Sequence, residues 1–261
     1  FHGGAGDDLI EGRGGDDLLY GDEGNDTILG GTGSDTLAGG AGSDTITGGK
    51  DNDLVTWVLG DGSDDVSMED GWDTVRVTTG EGDDYIEVLK EGTKVSVHIF
   101  YEGATLTLDK GDRIEFNTAG GDDQVVVSNL DGTDVDEVVA ELGAGYDFVG
   151  FIEAGRSTRI IGYGGPGDDV FIGGGGEDKF YGGDGLDYVD YSSAPRRVKV
   201  DLNWGACEDG YGSRDSLKEI ENVFGTAFSD EIRGTDGANA IWGWGGDDVI
   251  WGRGGDDLVY G

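Results

Sequence analysis

The feature that most constrains this chain is a nine-residue repeat rich in glycine and aspartate. Six units follow one another without a gap from Gly3 to Thr56, three run from Gly164 to Asp190, and four run from Gly225 to Tyr260. A fixed period of this kind is typical of architectures in which each unit packs on its neighbours. The sixth position is aspartate in every unit but one, where asparagine replaces it. The residues at that position are Asp8, Asp17, Asp26, Asp35, Asp44, Asp53, Asp169, Asp178, Asp187, Asp230, Asn239, Asp248 and Asp257.

The pattern weakens between the first two blocks. Asp64 and Asp73 keep the step of nine residues, and the step then lengthens to eleven, as between Asp73 and Asp84. Longer apolar runs follow these aspartates, so we expect the solenoid to continue with longer strands and a wider coil. Within it, 94–100 and 105–109 alternate apolar and polar residues, which predicts a short β-hairpin.

A second irregular segment separates the last two blocks. Val198–Leu202 reads as a strand, 203–213 as a loop, and Asp215–Glu219 as a short helical turn. The predicted organisation is therefore five segments. These are a repeat block at 1–56, a divergent β-solenoid segment at 57–163, a repeat block at 164–190, a non-repeat insertion at 191–224 and a repeat block at 225–261.

The charge of the chain limits its partners. It has 56 acidic and 17 basic residues, a formal net charge of −39. Such a chain has little basic surface for nucleic acid or anionic lipid, so we expect neither as a partner. High charge with modest hydrophobicity favours either disorder or a fold that depends on cations, and thirteen repeats in register favour the second.

Further classes are excluded by simple counts. The single cysteine, Cys207, rules out an internal disulfide framework. No run of 18 apolar residues predicts a transmembrane helix. Because the chain starts without methionine and ends within a repeat, we expect it to be a piece of a longer polypeptide.

The unit Gly-Gly-x-Gly-x-Asp-x-U-x, with U aliphatic, resembles the RTX (haemolysin-type) calcium-binding repeat. The resemblance covers nearly half of the chain. It implies an all-β fold, a right-handed parallel β-roll in which two units make one coil and turns two units apart stack. It also implies that calcium lies between stacked turns, held by backbone carbonyls and position-six carboxylates. The metal ligands would then be the position-six residues and Asp64.

The residue types suit that chemistry. Calcium takes six to eight oxygen ligands. A tight turn can aim its carbonyls inward where glycine accepts a positive φ, and an aspartate side chain is short enough to reach an ion held by its own turn. One coil buries about two aliphatic side chains, which is little against the entropy of ordering eighteen residues. We therefore expect the regular blocks to be largely unfolded without calcium, and roughly seven to ten ions to bind.

Two positions depart from the pattern. Asn239 replaces a carboxylate, which lowers the charge of its site. Asp51 replaces the fourth-position glycine of the sixth unit, and we expect strain in that turn.

Several residues have simpler interpretations. The acids of the middle segment, such as Asp112, Asp136 and Asp147, are favoured as turn residues without calcium. His2 and His98 are too far apart in sequence to indicate a zinc site, and His98 is expected at the surface. Cys207 has no evident histidine partner for thiol catalysis. Adjacent acids such as Asp168 and Asp169 could suggest a glycosidase, but they recur as part of the repeat.

Aromatic residues at position nine form a separate group: Tyr20, Tyr181, Trp242, Trp251 and Tyr260. Trp242 and Tyr260 are two units apart, so they should stack on one face, with Trp251 on the other. Sealing the end of the roll is the favoured role, and a strip for carbohydrate or a partner protein is the alternative.

These observations predict a non-catalytic, secreted calcium-binding β-roll that folds on extracellular calcium. The resemblance implies a bacterial, type I-secreted parent protein related to toxins or adhesins. We expect a monomer. One alternative is an adhesion or polysaccharide-binding module of a surface protein. Another is a polysaccharide-modifying β-helix enzyme with its site in the middle segment, although no active-site signature is present.

Overall fold

The chain forms a solenoid of short strands. The computed structural model describes residues 1–152 and 157–261, and these contain 28 strands arranged in two sheets of 14. Residues 153–156, which fall in the predicted middle segment, lie outside the described residues. The strands are β1 (His2–Ala5), β2 (Leu9–Gly14), β3 (Leu18–Glu23), β4 (Thr27–Thr32), β5 (Thr36–Ala41), β6 (Thr45–Lys50), β7 (Leu54–Val58), β8 (Asp65–Ser67), β9 (Thr74–Thr78), β10 (Tyr85–Glu91), β11 (Lys94–Ile99), β12 (Ala104–Asp109), β13 (Arg113–Asn117), β14 (Gln124–Val127), β15 (Glu137–Glu141), β16 (Phe148–Phe151), β17 (Arg159–Pro166), β18 (Val170–Ile172), β19 (Lys179–Asp184), β20 (Tyr188–Asp190), β21 (Lys199–Asp201), β22 (Ala206–Glu208), β23 (Arg214–Lys218), β24 (Asn222–Phe224), β25 (Glu231–Arg233), β26 (Ala240–Trp242), β27 (Val249–Trp251) and β28 (Leu258–Tyr260).

Outside β10–β12 and β21–β23, successive strands alternate between the two sheets. The first sheet has the order β1-β3-β5-β7-β9-β13-β15-β17-β19-β23-β22-β21-β25-β27, and the second β2-β4-β6-β8-β12-β11-β10-β14-β16-β18-β20-β24-β26-β28. Strands two units apart pair in parallel, so that Ile10 aligns with Ile28 and Ile28 with Ile46. The predicted parallel β-solenoid with two units per coil is therefore confirmed.

The core is a set of stacked apolar columns. In the first block, the eighth residue of each unit points inward and is buried, as Leu19, Ile28 and Leu37 are. Neighbouring residues in a strand point to opposite faces of the sheet, so the ninth-position side chains point away from the core. Alternation thus places one apolar side chain per unit in the core.

The middle segment has wider coils, as the sequence predicted. Equivalent turn residues are 20 residues apart at Asp44 and Asp64, and 24 apart at Asp123 and Asp147. The predicted lengthening of the strands is not found at β9, which has five residues against six in each of β2–β6, but β9 still buries two apolar residues, Val75 and Val77. The middle of the solenoid therefore has a thicker apolar core than the regular blocks.

An antiparallel meander is inserted into the second sheet. The predicted hairpin is present as β11 and β12, and β10 pairs with β11 on its other side. β12 then pairs in parallel with β8, and β10 pairs in parallel with β14. The meander therefore occupies two extra places in the sheet without ending the solenoid.

A second meander, β21-β22-β23, is inserted into the first sheet. The predicted strand at Val198–Leu202 corresponds to β21, but the predicted loop contains β22. The predicted helical turn at Asp215–Glu219 is wrong, because Arg214–Lys218 forms β23 and pairs with β19. Its residues alternate between exposed and buried, with Asp215 and Leu217 inward, and this period of two outweighs local helix propensity.

Within residues 1–152 and 157–261 the structure contains no helix of the length and apolar character needed to cross a membrane.

Shortening a core side chain tests the packing. In calcium-saturated protein, we expect Leu37→Ala to lower the free energy of unfolding by about 2–5 kcal/mol, because Leu37 is fully buried. Leu258→Ala, at a side chain that is 49% exposed, should cost less than about 1 kcal/mol. Urea unfolding followed by circular dichroism measures both. Equal effects would contradict the assigned core.

Candidate calcium sites

The turns between strands have an unusual backbone. In the units of the first block, positions two and four have positive φ, as at Gly31 (115°) and Gly33 (113°). A Cβ at Gly33 would lie 2.5 Å from the carbonyl oxygen of Gly15, in the coil before. Glycine at this position therefore lets stacked turns approach closely while the carbonyl of one faces the next.

The strain expected at Asp51 is present. Its φ is 75°, a left-handed value that a residue with a Cβ adopts at a cost of about 1–2 kcal/mol. Its carboxylate accepts a hydrogen bond from the Gly33 amide at 3.2 Å, which offsets part of that cost.

The sixth-position aspartates form two rows, one along each edge of the roll. In what we term the first row, Asp8, Asp26, Asp44 and Asp64 precede the strands of the second sheet. The second row contains Asp17, Asp35, Asp53 and Asp73, which precede strands of the first sheet.

Each side chain in a row caps the backbone of the preceding coil. The Asp17 amide donates to Asp35 Oδ1 at 2.8 Å, and the Asp35 amide donates to Asp53 Oδ1 at 2.9 Å. One carboxylate oxygen of each residue is thus committed to holding two turns in register.

In six of these eight aspartates, all but Asp64 and Asp73, the other carboxylate oxygen, Oδ2, is buried and has no hydrogen-bond partner. A buried unpaired carboxylate oxygen is costly, and the usual remedy in proteins is a cation or a donor. Among the described residues, the aspartates with this orphaned oxygen are Asp8, Asp17, Asp26, Asp35, Asp44, Asp53, Asp84, Asp123, Asp147, Asp169, Asp187, Asp209 and Asp248.

The first-position glycines show what surrounds these oxygens. A Cβ at Gly12 would lie 2.7 Å from Asp17 Oδ2 and 2.6 Å from the carbonyl oxygen of Gly30, one coil further on. Carboxylate and carbonyl oxygens from two stacked turns therefore face one small space, which glycine leaves open. An all-oxygen donor set of this kind fits calcium.

Side-chain clusters alone do not build a metal site. In the part of the chain that the structure describes, no three histidine, cysteine or acidic side chains come together to hold a metal ion. Backbone carbonyls must therefore complete each coordination shell, which suits calcium and does not suit zinc. His2 hydrogen-bonds Asp22 at 3.0 Å, His98 hydrogen-bonds Ser96 at 3.0 Å, and burial raises the pKa of the Cys207 thiol well above its usual value.

In three predicted ligands, both polar atoms at the end of the side chain already have hydrogen-bond partners in the protein. Asp178 Oδ1 accepts from the Ile160 amide at 2.7 Å, and its Oδ2 accepts from the Gly174 amide at 2.9 Å. The Asp230 carboxylate accepts from the Thr226 amide and hydroxyl, and Asn239 Oδ1 accepts from the Thr235 amide at 2.8 Å. These turns are capped internally, and they offer a cation less than the turns with an orphaned oxygen.

Sequence reasoning missed the middle aspartates. Asp84, Asp123 and Asp147 continue the first row and carry the same orphaned oxygen, although the middle acids had been favoured as plain turn residues. The signal was present in the sequence, because a glycine stands two residues before each of these aspartates.

The sequence analysis also did not predict a second series of hydrogen bonds, which the side chains at position five accept. The Asn25 amide donates to Asp7 Oδ1 at 2.8 Å, and the Ser34 amide donates to Asp16 Oδ1 at 2.9 Å. These bonds run from a later coil to an earlier side chain, opposite to those of the rows. The side chain at position six therefore accepts a hydrogen bond from the preceding coil, and the side chain at position five accepts one from the following coil.

Burial raises the pKa of several row carboxylates in the metal-free protein. Desolvation, and then the charge of neighbouring aspartates, raises the pKa of Asp53 to about 6 and that of Asp64 and Asp169 to about 7. In each case a hydrogen bond from a backbone amide opposes the shift. A negative charge at these positions is therefore disfavoured unless a proton or a cation neutralises it.

The ninth-position aromatics stack as predicted. Trp242 and Tyr260 lie on the second sheet with ring centroids 5.8 Å apart, and Trp251 lies on the first sheet. Trp242 also stacks on Phe224 at 4.5 Å, and the Arg233 guanidinium lies over Trp251 at 4.6 Å. The ring faces of Trp242 are thus covered by other rings.

Comparison with known families agrees with this geometry. The family model of the RTX calcium-binding nonapeptide repeat matches four times, at residues 1–28, 29–56, 163–193 and 224–259. No curated protein matches the chain.

A methyl group at the first position tests the cation space. We expect Gly12→Ala to weaken calcium binding at its turn by about tenfold or more, because the added Cβ meets Asp17 Oδ2 and the Gly30 carbonyl. Gly14→Ala, in the same turn, places its Cβ 3.0 Å from the tip of the Thr32 side chain, which can move. Calcium titration by calorimetry should distinguish the two, and equal affinities would contradict the site.

Acid should partly replace the cation. The raised pKa values mean that the folded metal-free chain binds more protons than the unfolded chain above about pH 4, so its stability falls as pH rises. In chelator, we expect β-structure measured by circular dichroism to increase as pH is lowered from about 8 to about 5. A decrease over that range would show that the rows are not desolvated.

Proposed function

Because this chain carries RTX calcium-binding repeats in a β-solenoid, we propose that it is a secreted, non-catalytic roll that folds when it binds extracellular calcium. It would form part of a larger bacterial protein exported by a type I system. The observation that carries the proposal is the row of buried Oδ2 atoms without partners, repeated along both edges.

Calcium supplies what the apo roll lacks. Each ion would take up orphaned oxygens and neutralise part of the formal charge of −39. At a free concentration ten times its dissociation constant, each bound ion stabilises the fold by about 1.4 kcal/mol, and the contributions of several ions add. The rows therefore couple folding to calcium concentration.

The covalent chemistry of the chain is consistent with export. Its one cysteine is buried and free, so no disulfide within the chain holds the roll together. Ions that are scarce inside cells and abundant outside would take the place of disulfides, which commonly stabilise extracellular domains. Such a chain could cross a membrane unfolded and order itself afterwards.

Neither the ninth-position tryptophans nor the adjacent acids support the alternative functions. A sugar stacks on an exposed ring face, whereas both neighbours of Trp242 in its column are aromatic rings and Trp251 lies under Arg233. The acid pair Asp168 and Asp169 is also accounted for. Asp168 Oδ1 accepts from the Leu186 amide at 2.8 Å, whereas Asp169 Oδ1 accepts from the Asp147 amide at 3.0 Å.

A calcium titration of chelator-treated protein is the direct test. We expect a cooperative gain of β-sheet circular dichroism and a change in fluorescence of the six tryptophans at millimolar calcium. Magnesium serves as the control, because it demands near-octahedral geometry and keeps its water ligands, so it should not induce the transition. A chain that is fully folded in chelator at neutral pH, and unchanged by calcium, would contradict the proposal.

A further inference from the structure

The turns of the middle segment continue the geometry of the regular blocks. Four successive turns extend the first row along the solenoid. They lie at 118–123, 142–147, 164–169 and 182–187. The second and fourth residues of the first of these, Ala119 and Gly121, have φ values of 62° and 126°, and those of the next, Gly143 and Gly145, have 95° and 159°. The family model matches neither of these two turns, since its third copy begins at residue 163.

The carboxylates of these turns behave like those of the first block. The Asp123 amide donates to Asp147 Oδ1 at 2.8 Å, and the Asp147 amide donates to Asp169 Oδ1 at 3.0 Å. All three residues are fully buried, and in each the Oδ2 atom has no hydrogen-bond partner.

Backbone carbonyls lie beside the same gaps. A Cβ added at Gly143 would collide with the Ala119 carbonyl, and one at Gly145 would collide with the Gly121 carbonyl. In the first block, Gly33 has the same relation to the Gly15 carbonyl. The middle turns therefore bring second- and fourth-position carbonyls against the next coil, as the matched repeats do.

We propose that the middle segment adds two calcium sites beyond those between recognisable repeats. One lies between turns 118–123 and 142–147, and the other between turns 142–147 and 164–169, with Asp123 and Asp147 as ligands. This inference rests on the proposed function, because it extends the same ion to residues that the repeat pattern does not include.

The first positions of these turns differ from the regular ones. Thr118 and Leu142 replace glycine there, and the Thr118 hydroxyl donates to the Leu142 carbonyl at 2.8 Å. That bond occupies one carbonyl that a regular turn leaves free. We therefore expect these two sites to bind calcium more weakly than those of the first block.

The opposite edge provides an internal comparison. At the level of the middle turns the second row has Asp136, which is exposed, followed by Thr158, whose hydroxyl donates to the Val135 carbonyl at 2.9 Å. No orphaned carboxylate lies there among the described residues. The two proposed sites therefore lie on one edge only.

Asp147→Asn is the decisive variant, because Asp147 contributes to both sites and asparagine keeps Oδ1 as the acceptor for the Asp123 amide. Asp136→Asn is the matched control in the same segment. Native mass spectrometry of the full chain in calcium should show about two fewer ions for Asp147→Asn and an unchanged number for Asp136→Asn. Asp35→Asn, in the first block, should also lose ions.

Thermal melting gives a second readout with opposite signs. If calcium binds, Asp147→Asn should lower the melting temperature in calcium, because a ligand is lost, and raise it in chelator, because a buried charge is removed. An unchanged ion count together with a higher melting temperature in both conditions would overturn the inference.

The two proposals fail differently. If wild-type protein binds no calcium and Asp35→Asn has no effect, the proposed function fails. If wild type and Asp35→Asn behave as expected but Asp147→Asn loses no ion, only the middle sites fail. Anomalous scattering from calcium-grown crystals would decide directly, by showing or lacking a peak between Asp123 and Asp147.

Discussion

The structure depends on the different roles of the two carboxylate oxygens in the aspartates of the two rows. In most row aspartates one oxygen accepts a hydrogen bond from a backbone amide of the neighbouring coil, and the other is buried without a partner. The first contact fixes register, and the second makes the assembled state costly unless a cation arrives. The same side chain therefore specifies the solenoid and is the basis of its proposed dependence on calcium.

Register is maintained by the turns and does not require strands of equal length. Coils of 18, 20, 22 and 24 residues all keep a row aspartate opposite the one before it. The additional residues of the wider coils enlarge the core, as at β9, where Val75 and Val77 are both buried. A solenoid built in this way tolerates changes in coil width, because the costly polar contacts lie at its edges.

The sequence predicted the regular blocks well, because period, glycine and aspartate all point to one solution there. The inward eighth residue, the hairpin at β11 and β12 and the strain at Asp51 followed from residues alone, and the parallel pairing followed from the family resemblance. The prediction was wrong at Asp215–Glu219, where a strand is set by pairing with β19 across 37 residues, a contact that no local pattern encodes. It also undervalued Asp123 and Asp147, since replacing the first-position glycine by Thr118 and Leu142 hid turns whose backbone is otherwise regular. Internal capping at Asp178 and Asp230 combines an amide four residues earlier in the same turn with an amide distant in sequence, that of Ile160 or Val198.

The positions of the two meanders have a consequence for how the molecule comes apart. The first meander separates β8 from β14 in the second sheet, yet at that level the second row is continuous, with the Asp73 amide bonded to Asp112 Oδ2 at 2.8 Å. The second meander separates β19 from β25 in the first sheet, yet the first row is continuous there, with the Asp187 amide bonded to Glu221 Oε2 at 3.0 Å. The two insertions therefore lie at different levels of the solenoid, and neither interrupts both rows of turns. A force applied along the axis would act on an uninterrupted row of turns at both levels, so we expect the solenoid to unfold as one unit.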